Sequence, residues 1–157
     1  LAAAAAGATV THVDASKGMV TWAKENAVSS GLKDAPIRWL VDDCVKFVER
    51  EIRRGNTYDA IIMDPPSYGR GPKGESWKIE DMIHPLIRLC AKILSKDALF
   101  FLVNSYTTGL APAVLTYMIS TELKSWNGHV DSQEIGLPVT NSGLVLPCGA
   151  SGRWESR

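Results

Sequence analysis

The sequence predicts an α/β protein with a mainly parallel, doubly wound sheet, and three observations carry that prediction. Short apolar runs alternate with amphipathic segments of helical length along most of the chain. Three of those runs end in acids, at Asp14, at Asp42-Asp43 and at Asp64. The C-terminal part changes character, with two β-rich runs placed close enough to form an antiparallel hairpin.

Each element has a local reason. Leu1 followed by five alanines and Gly7 reads as the tail of a helix, since Ala favours helix and Gly ends it. No strand and no Gly-rich turn precede it, so we expect a domain cut inside its first helix and a sheet truncated before its first strand. Residues 9–13 form a β-branched run ending in Asp14. Ser16 can cap the next helix, whose apolar positions are Met19, Val20, Trp22, Ala23 and Ala27, and Gly31 stops it. Ile37–Val41 is the second strand. Cys44, Val45, Val48 and Ile52 line a second helix stopped by Gly55, and Ala60–Met63 is the third strand. Residues 67–77 read as a Gly/Pro/basic loop. Ile79, Met82, Ile83, Leu86, Ile87, Cys90, Ile93 and Leu94 then recur at helical spacing. Residues 98–103 are the fourth strand. A helix is expected over 110–123, with Pro112 tolerated in its first turn. Residues 128–137 and 143–146 form the hairpin.

Composition bounds the function only loosely. The chain has 157 residues, 45% of them apolar, enough for one core. The 17 basic and 17 acidic residues cancel, so bulk charge argues neither for nor against a nucleic-acid partner. Cys44, Cys90 and Cys148 are odd in number and far apart, without a C-x-x-C pair, so neither a zinc site nor a disulfide framework is predicted. A reducing, cytoplasmic setting is the expectation. The alanine run is too short for a bilayer. His12, His84 and His129 are isolated from one another in sequence, and no metal role is assigned to them.

The chemistry concentrates at the strand ends, where open α/β sheets bind ligands. An acid in the place of Asp14 can accept from two adjacent ribose hydroxyls, and a helix-start acid is the simpler structural use of the same residue. Asp64-Pro65-Pro66-Ser67-Tyr68 follows a buried strand directly. Proline ends the ladder and fixes the backbone, which leaves a carboxylate, exposed carbonyls and a ring at one point. Arg70 and Lys73 in the following loop can contact phosphates. Trp77 can stack on a base or pack on the core.

These residues resemble a known family. Thr11-His12-Val13-Asp14-Ala15-Ser16, Trp22-Ala23-Lys24-Glu25-Asn26, Pro36-Ile37-Arg38-Trp39, Asp64-Pro65-Pro66-Ser67-Tyr68-Gly69-Arg70-Gly71 and Ser151-Gly152-Arg153-Trp154-Glu155 are similar to class I S-adenosylmethionine-dependent methyltransferases related to the bacterial 23S ribosomal RNA large-subunit cytosine methyltransferases. The resemblance covers nearly the whole chain. It implies a Rossmann-like sheet of strand order 3-2-1-4-5-7-6, of which the strands here are the second to seventh, making residues 1–157 a partial catalytic domain. The first strand, its glycine loop and an RNA-binding region would lie upstream. It implies S-adenosylmethionine as cofactor, held by Asp14, Ala15, Ser16, Asp43, Cys44 and Asp64. Asp43, favoured over Asp42, would accept from the adenine amino group. Asp64, Pro65 and Tyr68 become the catalytic wall, with Arg70, Lys73, Asn104 and Tyr106 on the substrate side and ribosomal RNA as the substrate.

One departure bears on the reaction. Carbon-5 methylation of cytosine needs a cysteine nucleophile, and relatives carry it after the strand corresponding to residues 98–103. Here that stretch reads Asn104-Ser105-Tyr106-Thr107-Thr108. Cys44, Cys90 and Cys148 read as small core residues instead, Cys148 placed after the last strand. Direct methylation of an amine, or of another nitrogen or oxygen, therefore fits better. A nicotinamide-dependent dehydrogenase would use Asp14 equally well but needs neither Asp-Pro-Pro nor the hairpin. A non-catalytic fragment that binds RNA or a partner is the further alternative.

Overall fold

The computed structural model describes residues 1–70, 76–107 and 109–157. The chain divides into two compact units, Leu1–Arg54 and Gly55–Arg157.

The first unit holds α1 (Ala2–Ala5), β1 (Val10–Asp14), α2 (Lys17–Ser29), β2 (Ile37–Val41) and α3 (Cys44–Arg54). β1 and β2 pair in parallel from Val10↔Ile37 to Asp14↔Val41. The α2 crossover makes that pairing possible, since parallel neighbours need a long connection. Ser16 caps α2, its hydroxyl accepting from the Met19 N–H at 3.3 Å. Val20 and Ala27 bury one side of α2, and Phe47 and Val48 one side of α3. Glu51 is also buried, paired with the Arg54 guanidinium at 2.9 Å.

The second unit holds β3 (Ala60–Met63), β4 (Tyr68–Arg70), β5 (Ser76–Lys78), α4 (Ile79–Ala91), β6 (Phe100–Ser105), α5 (Pro112–Glu122), β7 (Gly128–Pro138) and β8 (Val145–Ser156). Its main sheet has the order β3-β6-β8-β7, with β3 and β6 parallel and β8 antiparallel to both neighbours. Phe101, Val103 and Ser105 of β6 are fully buried, with Ile79, Ile83 and Ile87 of α4 and Leu115 and Ile119 of α5. A Cβ on Gly152 of β8 would lie 2.8 Å from Leu115 Cβ and 2.9 Å from Ile119 Cδ1, so glycine there lets α5 sit directly on the sheet. Glu122 ties α5 to α4, accepting from the His84 ring at 2.7 Å and from Arg88 Nε at 3.1 Å.

Several boundaries differ from the sequence prediction. Residues 67–77 are not simply a loop: β4 and β5 form an antiparallel ribbon from Tyr68↔Lys78 to Arg70↔Ser76. The first strand is Val10–Asp14, which includes the acid itself. The fourth predicted strand begins two residues late, at Phe100. The predicted helix over 110–123 runs over Pro112–Glu122. The largest difference is β8, expected over 143–146 and found over Val145–Ser156. Its glycines and Pro147 read as breakers, yet β8 is a central strand. Pairing on both sides and the burial of Ala150, Gly152 and Trp154 override their poor β propensity. Cys148 therefore lies inside the last strand, not after it. Of the three cysteines only Cys90 is buried; Cys44 is exposed and Cys148 half-buried.

Candidate functional site

In the first unit, the carboxyl ends of β1 and β2 present three acids with different commitments. Asp14 closes β1, and its Oδ1 accepts from the Ser16 N–H at 2.7 Å. The backbone thereby fixes the carboxylate at the start of α2, and Oδ2 accepts no bond among the described residues. Asp42 is fully engaged: Oδ1 accepts from the Asp43 N–H at 2.9 Å, and Oδ2 pairs with the Arg50 guanidinium. Asp43 caps α3, its Oδ1 accepting from the Lys46 N–H at 2.9 Å. Asp43 thus keeps an oxygen that Asp42 does not. The Ser16 hydroxyl is spent on the α2 cap, and Ala15 is exposed beside it. Cys44 Sγ sits 3.8 Å from the Val13 carbonyl. Although the residue as a whole is exposed, desolvation of its sulfur against the strand end pushes its thiol up, and the charges of Asp43, Asp14 and Asp42 add to that.

In the second unit, the acid-Pro-Pro-aromatic segment leaves β3 at its carboxyl end. Partial burial raises the Asp64 carboxyl above the ordinary aspartate value. The Pro66 carbonyl accepts from the Trp77 indole N–H at 2.6 Å. Trp77 is therefore a brace beneath the turn, half-buried, rather than a ring offered to a base. Of the two proline carbonyls, that of Pro65 is the one left without a bond among the described residues. Tyr68 is 52% exposed. Its hydroxyl accepts from Arg70 Nε at 2.7 Å, which orients the exposed Arg70 side chain onto Tyr68. Lys73 lies outside the described residues.

The chain after β6 joins this wall. Thr107 Oγ1 donates to Ser67 Oγ at 2.6 Å, linking the β6–α5 loop to the Asp-Pro-Pro turn. Tyr106, 54% exposed, lines a cleft of about 400 Å3 with Leu110, Pro112, Glu134, Pro147 and Cys148. Asn104 is half-buried and accepts from Ser151 Oγ at 2.9 Å across the β6–β8 pair, so it braces the sheet and is not part of that cleft. Sequence reading missed the Trp77 brace, the Ser67–Thr107 link and the place of Glu134 and Cys148 beside Tyr106. All depend on pairings distant in sequence; only the indole of Trp77, following a turn rich in bare carbonyls, gave a local signal.

The two strand orders, β2-β1 in one unit and β3-β6-β8-β7 in the other, are those that the order 3-2-1-4-5-7-6 assigns to its second to seventh strands. The solved structure of a SAM-dependent methyltransferase from Agrobacterium tumefaciens matches 99% of this chain with a TM-score of 0.91 and 41% identity. The chain has the fold of the class I S-adenosylmethionine-dependent methyltransferases. It spans 51% of that Agrobacterium methyltransferase. Two curated methyltransferases place it near enzymes named for ribosomal RNA. Ribosomal RNA large subunit methyltransferase K/L of Pseudoalteromonas atlantica is 36% identical over 86 residues, which are 54% of this chain and 12% of that protein. Ribosomal RNA large subunit methyltransferase K of Neisseria meningitidis is 27% identical over 105 residues, 66% of this chain and 30% of that protein. No family model matches the chain. Among the described residues, no helix of this methyltransferase-like chain is long and apolar enough to cross a membrane.

Proposed function

We propose that this chain is the greater part of a catalytic domain that transfers a methyl group from S-adenosylmethionine to a base of ribosomal RNA, in the cytoplasm. The observation that carries the reading is the Asp64-Pro65-Pro66-Ser67-Tyr68 turn at the carboxyl end of β3, braced by Trp77 and linked to the β6–α5 loop.

The residues present fit the nucleoside part of the cofactor. Asp14 is oriented by one backbone N–H and keeps acceptor capacity for a ribose diol. Asp43 keeps one oxygen for an adenine amino group, whereas Asp42 is held by Arg50. Ala15, Ser16 and Cys44 supply the backbone and neutral surface around them. When bound, the cofactor supplies an electrophilic methyl on a sulfonium.

The chain's own work is positioning. Asp64 and the Pro65 carbonyl accept the two hydrogens of an exocyclic amine and aim its lone pair. The carboxylate also stabilises the positive charge that grows on that nitrogen during transfer. Tyr68 offers its face to a base taken out of the stack, with Arg70 holding its hydroxyl. Arg70, Lys73 and Tyr106 would make up the substrate side, while Asn104, held by Ser151 across the sheet, is left out of it. Cys44 and Cys148 have no assigned step.

Calorimetric titration of S-adenosylmethionine into the longer protein tests this. Asp14→Ala should weaken binding at least about tenfold, the loss of a charge-assisted bond or two. Asp64→Asn should spare binding and lower turnover about a hundredfold. Unchanged affinity in Asp14→Ala removes that residue from the site. Binding of NADH in place of S-adenosylmethionine would turn the reading to a dehydrogenase, and binding of neither to a non-catalytic RNA- or partner-binding role.

A further inference from the structure

The cleft beside Tyr106 lies at the sheet edge where β3 and β6 end. β8 runs antiparallel to β6, so its first residues lie at that edge, as do the last residues of β7. Ser105, Ala150 and Glu134 form one cross-strand row from β6 through β8 to β7. Ser105 and Ala150 are buried in that row, while Glu134, at its outer end, is exposed and lines the cleft. Ser132, two residues earlier on the same face, donates to the Pro112 carbonyl at 2.7 Å and seats the start of α5 against β7. Thr107, also on the cleft, carries the bond to Ser67 of the Asp-Pro-Pro turn.

The walls of this cleft are a ring and apolar side chains, from Tyr106, Leu110, Pro112 and Pro147. Glu134 is the one charged residue among the described residues that line it, and no Lys, Arg or His does. Its carboxylate has no hydrogen bond or ion pair among the described residues. The space of about 400 Å3 is that of a small-ligand pocket. Asp64 directly follows β3, and Glu134 is on β7, three strands away in the order β3-β6-β8-β7. At about 4.8 Å per strand their backbones are roughly 14 Å apart. Strand side chains stand perpendicular to the sheet and do not close that gap. A base that gives both amine hydrogens to Asp64 and Pro65 has none left for Glu134.

We propose that the cleft is a second base subsite, which takes an unpaired guanine near the target nucleotide, stacked on Tyr106 and read by Glu134. This rests on the reading of the chain as an RNA methyltransferase domain. Sequence in RNA is read on unpaired bases that stack on aromatic rings and bond along their Watson–Crick edges. An ionised carboxylate offers acceptors only. Guanine alone presents two adjacent donors on that edge, N1–H and the N2 amine. Adenine and cytosine set a ring-nitrogen acceptor beside their amine, and uracil flanks its N3–H with carbonyls. Each of these turns a lone pair toward Glu134. A phosphate finds no cation in the cleft.

Fluorescence anisotropy with the longer protein and labelled RNA decamers tests this. The decamers are all uridine, the same with one central guanosine, and the same with inosine, which keeps N1–H and loses the amine. Guanosine should bind about tenfold tighter than uridine, with inosine between them. Glu134→Gln should erase the guanosine advantage and leave S-adenosylmethionine affinity unchanged. Asp64→Asn should leave the advantage in place, which separates this subsite from the target amine. The inosine comparison needs no substitution and stands however the variants fold. Inosine binding as tightly as guanosine, an advantage that survives Glu134→Gln, or one lost in Asp64→Asn would each overturn the proposal. S-adenosylmethionine binding with no guanosine advantage would overturn the subsite alone. Binding of neither S-adenosylmethionine nor RNA would overturn the methyl-transfer reading and the subsite with it.

Discussion

Substituting Gly149 with alanine should unlock the edge of the candidate site. Gly149 has φ +154°, a backbone state that side chains disfavour. Its added Cβ would lie 2.9 Å from Tyr106 Cα and 3.0 Å from the Ser105 carbonyl carbon, with the Ser105 oxygen nearer still. Ordinary contacts at such a position are 3.4–4 Å. The neighbours are backbone atoms and cannot rotate aside, so β8 and the end of β6 must separate by half an ångström or more. Backbone strain and overpacking each cost about 1–3 kcal/mol, which together give about 3 kcal/mol. Native-state hydrogen exchange of the β6–β8 ladder should therefore accelerate about a hundredfold. Gly143→Ala is the control, since Gly143 also has positive φ (+69°) but a Cβ there meets nothing within 4 Å. It should cost about 1 kcal/mol and act only at the hairpin tip. Equal exchange in the two variants would show that φ, not the close approach to Tyr106, makes glycine necessary.

Two pH-dependent predictions follow. Partial burial alone would raise the Glu122 carboxyl, but hydrogen bonds from His84 and Arg88, and then their charges, outweigh it and hold it below the ordinary glutamate value. A lowered carboxyl contributes stability that is present above its unfolded value and lost as pH falls through its folded one. Glu122→Gln should thus destabilise by about 1 kcal/mol at neutral pH, discounted because Arg88 is largely exposed, and the gap should close in acid. A gap in denaturation midpoints that stays constant into acid would defeat the argument. For Asp64 the shift is upward, caused by burial. If its carboxylate is the required acceptor, turnover in the longer protein should fall on the acid side at a pH above the ordinary aspartate value, and Asp64→Asn should abolish that limb. A limb that survives in Asp64→Asn assigns it to another group.

The sheet was legible where sequence and burial agree. The β1, β2 and β3 runs are short, apolar and bounded by acids, and they appear within a residue of where periodicity puts them. β8 was not legible beyond its first residues, because a strand containing Gly149 and Gly152 has no local reason to be extended. Its reason is α5, which needs Gly152 in order to reach the sheet. The same holds at the candidate site. Asp14, Asp43 and Asp64 announce themselves at strand ends. The proton donors that commit or free each oxygen come from Arg50, Lys46 and Trp77, and pairwise geometry is invisible to a one-dimensional pattern.

Asp14 and Asp43 each have one oxygen held by the N–H of a helix start, which fixes the carboxylate and, on the proposed function, would lower the entropy a nucleoside must overcome on binding. Asp42, beside Asp43, is held instead by Arg50. At the other strand end Trp77 takes the Pro66 carbonyl, so of the two proline carbonyls only that of Pro65 is left without a bond among the described residues. On the proposed function, Asp64 and the Pro65 carbonyl would match the two hydrogens of an amine and leave its lone pair directed at the electrophile. A turn with both proline carbonyls bare would accept the amine in more than one orientation. The indole of Trp77, not the prolines alone, would then give Asp-Pro-Pro one preferred geometry.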